Sequence, residues 1–323
     1  MQLLPWMLAL AGLMITVVST SPIDATSPSA IRAIFLFKDV LESNTTALMT
    51  SGFNTVILFS FGVLGNGDIV YYTTNSVTGG IHTTLASNGS YVGGPALANK
   101  VQSFKTAPGT QIDRVEISMS SSGTAFQNVS SLIRRDGTGP ETLLSRNFAA
   151  LRKAWTLDAF NNDDESVYDV ASTVRFAELL GDPAGANFPH YTAAPYTNMR
   201  FWTSVLQGIS TSTHLSEGFF DRVYLQEYDG GAGNDPNSWQ TALVPKSSKE
   251  ETVSMVPILW VTNDSKPSQG TTPAQAETRF KRWAASTASH PGVAGGGYWN
   301  DYDIEKMKSS YTAYGNALLA VFP

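Results

Sequence analysis

The chain has 323 residues, of which 42% are hydrophobic and 15% are charged, and it carries a formal net charge of −6. This length exceeds that of an average domain but is normal for one α/β barrel. The sequence has no Lys/Arg cluster, so we expect no nucleic-acid partner. The absence of cysteine excludes thiol catalysis, zinc–thiolate sites and iron–sulfur clusters.

The N-terminal segment is apolar. Residues 1–20 contain no charged side chain, and a stretch of small and polar residues follows them. This pattern predicts a secretory signal peptide over residues 1–22 and one barrel domain over residues 23–323. An uncleaved N-terminal anchor is the alternative, although the apolar run is short for a membrane-spanning helix.

Four Asn-x-Ser/Thr sequons predict N-glycosylation. They lie at Asn44, Asn88, Asn128 and Asn263. Together with the predicted signal peptide, they indicate a secreted, extracellular glycoprotein that does not contact the membrane after cleavage.

Eight apolar segments, several of them rich in β-branched residues, predict strands that are covered on both faces. They are 30–37, 55–61, 111–119, 153–161, 188–194, 221–228, 252–261 and 292–299. Amphipathic segments that predict helices alternate with them, at 39–51, 95–105, 124–135, 141–152, 167–180, 197–210, 273–287 and 303–319. The alternation predicts a parallel α/β fold, and eight strands are the number that closes a (β/α)₈ TIM barrel.

An open, doubly wound sheet is the alternative architecture. Such a sheet needs a glycine-rich phosphate turn after its first strand, and residues 37–39 do not form one. Two Gly/Asn/Ser-rich segments, 62–93 and 229–250, follow the second and sixth predicted strands. In a barrel they would lie at the C-terminal face, where long loops build the substrate cleft.

The densest acidic cluster is Asp-Ala-Phe-Asn-Asn-Asp-Asp-Glu over residues 158–165, at the end of the fourth predicted strand. Strand alternation places Asn161, Asp163 and Glu165 on one face. Crowded carboxyls raise each other's pKa, which can produce the general acid that glycoside hydrolysis requires. A solvated loop that caps the next helix is the alternative, but barrel enzymes hold their catalytic groups at this position.

This cluster resembles the D-G-x-D-x-D-x-E motif of the family 18 glycoside hydrolases, the chitinases, with matches at Asp158, Asp163 and Glu165. Four further segments resemble that family in the same order along the chain, two of them in its hevamine-like branch. They are Ser118–Ser121, Tyr191–Pro195, Phe220–Asp229 and the glycine-rich Gly295–Trp299.

The resemblance implies a substrate-assisted mechanism on a polymer of N-acetylglucosamine. Glu165 corresponds to the acid that protonates the glycosidic oxygen. Asp163 corresponds to the carboxylate that orients the 2-acetamido group, and Tyr228 to the hydroxyl that bonds the acetamido oxygen. Trp299 corresponds to the apolar floor beneath the sugar. The remaining residues expected to bind substrate are Asp158, Asn161, Gln226 and Ser118.

The sequence departs from the family motif at functionally relevant positions. Asn161 replaces an aspartate, so it can donate a hydrogen bond to Asp163 but cannot share its proton. Ala159, Ser120 and Ser121 replace glycines. The resemblance leads us to expect a secreted hydrolase of chitin-like polysaccharide. Because of these departures, a weak or inactive carbohydrate-binding protein is the alternative.

The expected partner is a polysaccharide or oligosaccharide, and we expect a monomer. The four histidines are scattered and lack zinc-protease spacing. We therefore expect no metal and no cofactor.

Overall fold

Eight parallel strands close on themselves in the computed structural model, which describes residues 30–73, 82–121, 123–243, 253–285 and 292–323. The barrel strands are β1 (Ile31–Leu36), β2 (Thr55–Val63), β6 (Arg114–Ser120), β7 (Ala159–Asp163), β8 (His190–Ala193), β9 (Phe220–Gln226), β10 (Ser254–Trp260) and β11 (Gly295–Trp299). Each pairs in parallel with its neighbours, and β1 closes the ring between β11 and β2. The predicted (β/α)₈ TIM barrel is confirmed, whereas the predicted signal peptide over residues 1–22 lies outside the described residues.

Three short strands extend the sheet beside β2. They are β3 (Ile69–Tyr71), β4 (Thr83–Ser87) and β5 (Ser90–Tyr91), and they pair antiparallel in sequence order. The sequence predicted only a loop over residues 62–93. Buried side chains such as Ile69, Val70 and Leu85 explain why part of this segment forms sheet instead.

Helices cover the outside of the barrel. Their bounds are Thr45–Met49, Pro95–Thr106, Ala125–Asp136, Leu143–Trp155, Val170–Gly181, Met199–Thr211, Pro236–Leu243, Pro273–Ala284, Asp301–Lys306 and Tyr311–Leu319. Local signals set their ends: Thr272 and Gln275 form a reciprocal capping box, and Gly137 ends another helix at a φ of 83°.

Several predicted elements differ from those in the structure. Residues 153–155 belong to a helix, which ends where Thr156 adopts a left-handed conformation, so β7 begins only at Ala159. The segment 303–319 lies in two helices rather than one, and Lys308, between them, has a φ of 53°. The helix Pro236–Leu243 lies within a predicted loop.

The barrel has an apolar outer layer and a partly polar interior. Inside, Glu116 accepts hydrogen bonds from Arg114 and Tyr224, each at 2.7 Å. Burial opposes the ionisation of Glu116, but the charges of Arg114 and Arg222 and the hydrogen bonds from Tyr224 and Thr192 together hold the pKa of this carboxyl below its ordinary value. The ionic network fixes the N-terminal half of the barrel, and the cleft described below lies at the opposite end. No helix in the described ranges is long and apolar enough to span a membrane.

Candidate active site

A cavity of about 610 Å³ opens at the C-terminal ends of the barrel strands. Its lining combines carboxyl, amide and hydroxyl groups with aromatic rings. The lining residues are Phe35, Phe59, Ser120, Ser121, Asp163, Glu165, Ala194, Tyr196, Gln226, Tyr228, Asp229, Gly230, Trp260 and Trp299. A concave site with a few convergent polar groups among aromatic rings is typical of a small-molecule or glycan site.

Asp163 and Glu165 form the acidic centre of this cavity. Asp163 is the last residue of β7, and its carboxyl is hydrogen-bonded to that of Glu165. The Gln226 side chain, at the end of β9, donates from Nε2 to Asp163 Oδ1 at 3.1 Å and to Glu165 Oε1 at 3.0 Å. The same nitrogen lies 2.8 Å from the Ala194 carbonyl oxygen. One amide thus holds both carboxyls in a fixed arrangement.

The environment of this pair favours retention of a proton. Burial, followed by the neighbouring Glu165 carboxyl, raises the pKa of Asp163 well above its ordinary value. Burial also raises the pKa of Glu165, which is partly exposed to the cavity. Two carboxyls this close cannot both ionise easily, so the pair holds one proton between them. A shared proton next to an open cavity is what a general acid requires.

Tyr228 faces the same cavity from the loop after β9. Burial, with the Asp163 charge next, raises the pKa of its hydroxyl well above the ordinary value. The hydroxyl therefore keeps its proton and can donate a hydrogen bond at neutral pH. Its ring packs against Trp260, with ring centroids 5.6 Å apart.

Trp299 and three phenylalanines form an aromatic wall. The Trp299 ring centroid lies 5.8 Å from that of Phe35, 5.4 Å from that of Phe37 and 4.8 Å from that of Phe59. These contacts hold the indole at the edge of the cavity. Such a surface suits the C–H face of a sugar ring.

Asn161 and Ser118 lie beneath the cavity and do not line it. Both are fully buried: Ser118 Oγ donates to Asn161 Oδ1 at 2.7 Å, and Asn161 Nδ2 donates to Thr192 Oγ1 at 2.8 Å. The predicted hydrogen bond from Asn161 to Asp163 is not formed, because the amide is directed to Ser118 and Thr192 instead. In this structure the two residues support the site from below, and neither of them lines the cavity.

Asp158 also lies away from the cavity, so its predicted role in substrate binding is wrong. It precedes β7, at the opposite end of the strand from Asp163. Its carboxylate accepts hydrogen bonds from Lys105 Nζ at 2.7 Å and from the Val115 amide at 2.8 Å. Asp158 therefore connects the start of β7 to a helix and to β6.

The sequons differ in accessibility. Asn44 and Asn88 are exposed, and Asn128 is partly buried with its Nδ2 donating to the Val63 carbonyl at 2.9 Å. Asn263 is only 2% exposed, and its Nδ2 donates to the Val261 carbonyl at 3.1 Å. A glycan has no room at this buried nitrogen, so the structure contradicts the predicted site at Asn263.

Sequence reasoning missed several cavity residues. They are Phe35, Phe59, Tyr196, Asp229, Gly230 and Trp260. Each of them lies near the C-terminal end of a barrel strand or in the loop that follows one, and this position is the signal that could have identified them. No group of three or more His, Asp or Glu side chains in the described part of the chain is arranged to hold a metal ion.

Several solved structures named as family 18 glycoside hydrolases share this fold. A family 18 chitinase from Pseudoalteromonas aurantia aligns with a TM-score of 0.59 and 12% identity over 90% of this chain and 99% of that chain. The fold is that of the family 18 chitinases. A fungal endo-β-N-acetylglucosaminidase of family 18 aligns with a TM-score of 0.56 and 12% identity, covering 89% of this chain and 98% of that chain.

A chitinase from Rhizomucor miehei shares the same barrel, with a TM-score of 0.54 and 12% identity over 91% of this chain and all of that chain (100%). No protein-family model matches the sequence, and no curated protein matches it. The similarity to these solved structures therefore lies in the fold.

Proposed function

We propose that this protein is a secreted hydrolase of N-acetylglucosamine-containing, chitin-like polysaccharide that acts by a substrate-assisted, retaining mechanism. The observation that carries the proposal is the Asp163–Glu165 carboxyl pair, held by Gln226 in an aromatic-lined cavity at the C-terminal face of the barrel. The fold shared with enzymes named as chitinases and an endo-β-N-acetylglucosaminidase supports the substrate class.

In the first step Glu165 donates its proton to the glycosidic oxygen, and the bond between that oxygen and the anomeric carbon breaks. The acetamido oxygen of the same sugar attacks the anomeric carbon and forms a cyclic oxazolinium. Asp163, then a carboxylate, accepts a hydrogen bond from the acetamido N–H and balances the positive charge. The Tyr228 hydroxyl donates to the acetamido oxygen and orients it.

In the second step Glu165, now a carboxylate, removes a proton from water. The resulting nucleophile opens the oxazolinium at the anomeric carbon and restores the acetamido group. Two inversions at one carbon leave the product with the configuration of the substrate. Trp299 supplies the apolar surface under the reacting sugar.

A carbohydrate-binding protein with little or no turnover is the second candidate, and the position of Asn161 favours it. The Asn161 amide bonds Ser118 and Thr192 and cannot take up a proton from Asp163 as a carboxyl could. Release of reducing ends from N-acetylglucosamine oligosaccharides separates the two functions. Release is expected from the hydrolase, whereas binding without release at high protein concentration supports the second candidate.

Three further features belong to the proposal. The apolar segment 1–22 and the exposed sequons at Asn44 and Asn88 support a secreted glycoprotein. The motif at Tyr191–Pro195 supports a place near the hevamine-like branch. We also propose that the protein acts as a monomer, because each group invoked in the mechanism comes from one chain.

A further inference from the structure

Glu165 is carried by a short segment that belongs to no helix or strand. Strand β7 ends at Asp163, and the next helix begins at Val170. Within the described ranges, residues 164–168 make no backbone–backbone hydrogen bond. The position of the proposed acid therefore depends on the side chains that bond to this segment.

The Asp164 side chain supplies most of these bonds. Its Oδ1 accepts from the amides of Ser166 at 2.9 Å and Val167 at 2.8 Å, and its Oδ2 accepts from the amide of Tyr168 at 2.9 Å. Asp164 is only 3% exposed. Hydrogen bonds from backbone amides to a carboxylate are stronger than those between neutral groups, so one buried side chain fixes the backbone on the C-terminal side of Glu165.

Asn162 joins this segment to the barrel. Its Oδ1 accepts from the Asp164 amide at 2.8 Å, and its Nδ2 donates to the Tyr191 hydroxyl on β8. Asn162 and Tyr191 are both fully buried. The hydrogen bonds therefore run without a break from β8 through Asn162 and Asp164 to the amides that follow Glu165.

Asp164 and Glu165 lie on opposite sides of the segment. Glu165 lines the cleft, whereas Asp164 borders a narrow space between β7 and the outer helices. The other residues that line this space, among them Phe126 and Phe176, carry no charge. Amide groups, and not a cation, therefore hold the Asp164 carboxylate in place.

The segment ends in an unfavourable backbone conformation. Tyr168 has a φ of 49°, in the left-handed region that residues other than glycine rarely adopt. Its amide is one of those bonded to Asp164, and its ring packs against Phe201, with ring centroids 5.2 Å apart. Such a conformation persists only where the surrounding structure holds it, so the bond to Asp164 and the packing keep the segment in one arrangement.

The Asp164 charge also acts on the two carboxyls of the cleft. Burial is the largest cause of the raised pKa of Asp163 and of Glu165, and the Asp164 charge adds to both. The ionisable side chains next to Asp164 include Tyr168 and Tyr191. The other ionisable side chains that line the cleft are Tyr196, Tyr228 and Asp229, and no cationic side chain of the described residues lines it.

We propose that Asp164 is a positioning residue for the general acid, because it holds residues 164–168 in the arrangement that directs Glu165 into the cleft, with Asn162 as its anchor. The role of Glu165 as the acid rests on the proposed function, whereas the hydrogen bonds of the segment do not. The motif D-G-x-D-x-D-x-E leaves positions 162 and 164 unspecified, so the family resemblance assigns no role to either residue.

Asp164→Asn tests this proposal, and Asp169→Asn is its matched control. The first change keeps the size of the side chain but removes its charge and one acceptor oxygen. Asp169 is exposed and accepts from the Ala171 amide at 3.2 Å at the start of the next helix, so the second change is the same chemistry outside the segment.

We expect Asp164→Asn to lower kcat on N-acetylglucosamine oligomers by about 10–10² with KM little changed, because the acid is misplaced. The alkaline limb of kcat/KM should move to lower pH, because a negative charge near Glu165 is lost. Asp169→Asn should change neither. Unchanged kcat in Asp164→Asn, or a loss of kcat without movement of this limb, would overturn the proposal.

A second variant covers the case in which Asp164→Asn does not fold. Asn162→Ala removes the anchor and leaves the Asp164 charge in place. It should lower kcat by about tenfold and leave the alkaline limb where it is. Full kcat in Asn162→Ala would overturn the proposal as well.

Amide hydrogen exchange separates this proposal from the proposed function, because it requires no turnover. The amides of Ser166, Val167 and Tyr168, followed by NMR, should exchange slowly in the unmodified protein and about tenfold or more faster in Asp164→Asn. Equal exchange in the two proteins would show that Asp164 does not hold the segment. If these amides behave as expected while the unmodified protein releases no sugar, the proposed function fails and the fixed segment remains.

Discussion

The Asn161 side-chain amide donates to Thr192 Oγ1 at 2.8 Å, one layer below the reacting carboxyls. The Thr192 hydroxyl in turn donates its proton to Glu116 Oε2 at 2.7 Å. Because a hydroxyl has one proton to give, Thr192 cannot also donate to residue 161. An aspartate at position 161 would therefore have to carry a proton itself to keep this bond.

This arrangement makes Asn161→Asp an informative substitution. An ionised carboxyl at this position could take up the proton of Asp163 during the reaction and, once protonated, donate it to Thr192 Oγ1. We expect the hydrolysis rate to rise by as much as about 10²–10⁴, measured as initial release of reducing ends. Asn161→Ala, which adds no proton, is the control and should not raise the rate. Unchanged turnover with intact binding would instead indicate that Ser120 and Ser121 or another feature disables the site.

Glu165→Gln should reduce hydrolysis by at least about 10²–10⁴, because an amide cannot protonate the leaving oxygen. Oligosaccharide binding should persist, since the side chain keeps its shape. Asp229→Asn is a matched control, as it removes an exposed carboxylate that lines the same cavity outside the Asp163–Glu165 pair. It should retain activity within a few-fold. Full activity in Glu165→Gln would show that another group is the acid.

The pH dependence of hydrolysis should reflect the raised pKa values of Asp163 and Glu165. A general acid works only while protonated, so a raised pKa moves the alkaline limb of kcat/KM above the ordinary carboxyl range. The hydrogen bonds from Gln226 lower the pKa of both carboxyls. Gln226→Met removes these bonds and should move the alkaline limb to higher pH. A shift of this limb to lower pH would contradict the assigned electrostatics.

Glu227 should make stability depend on pH. Burial raises the pKa of Glu227 from 4.5 to about 9, so the folded protein holds this proton more tightly than the unfolded chain does. The free energy of unfolding should therefore fall as pH rises from about 4.5 towards 9, by up to about 4 kcal/mol between pH 5 and 8. Glu227→Gln should remove this dependence, measured by denaturant unfolding at both pH values. Glu277→Gln, which breaks the surface pair with Lys281, is the control and should leave the dependence in place.

The sequence predicted the barrel well because buried parallel strands are continuously apolar and alternate with amphipathic helices. It predicted the start of β7 poorly. Trp155 is fully buried on its helix. A buried apolar residue is expected on a strand as well, so the hydrophobic pattern around Trp155 does not distinguish a strand from a helix. The helix ends at Thr156, which adopts a left-handed conformation. Threonine rarely adopts this conformation, so the sequence did not indicate that the helix ends there.

The candidate site was predictable where side chains are close in sequence at the end of one strand, as for Asp163 and Glu165. It was not predictable where partners come from distant segments. The bonds of Asn161 to Ser118 and Thr192 and the pairing of Asp158 with Lys105 depend on the register between strands and helices. Contacts of this kind bring together residues far apart in sequence, and periodicity carries no information about them.

The anomeric form of the first product shows whether hydrolysis retains the configuration of the substrate. Proton NMR of an N-acetylglucosamine oligomer, recorded during the first minutes after the protein is added, distinguishes the two anomers before they equilibrate. We expect the β-anomer to be released first and Glu165→Gln to release no product. Initial release of the α-anomer, or equal release by Glu165→Gln, would contradict substrate-assisted hydrolysis with Glu165 as the acid.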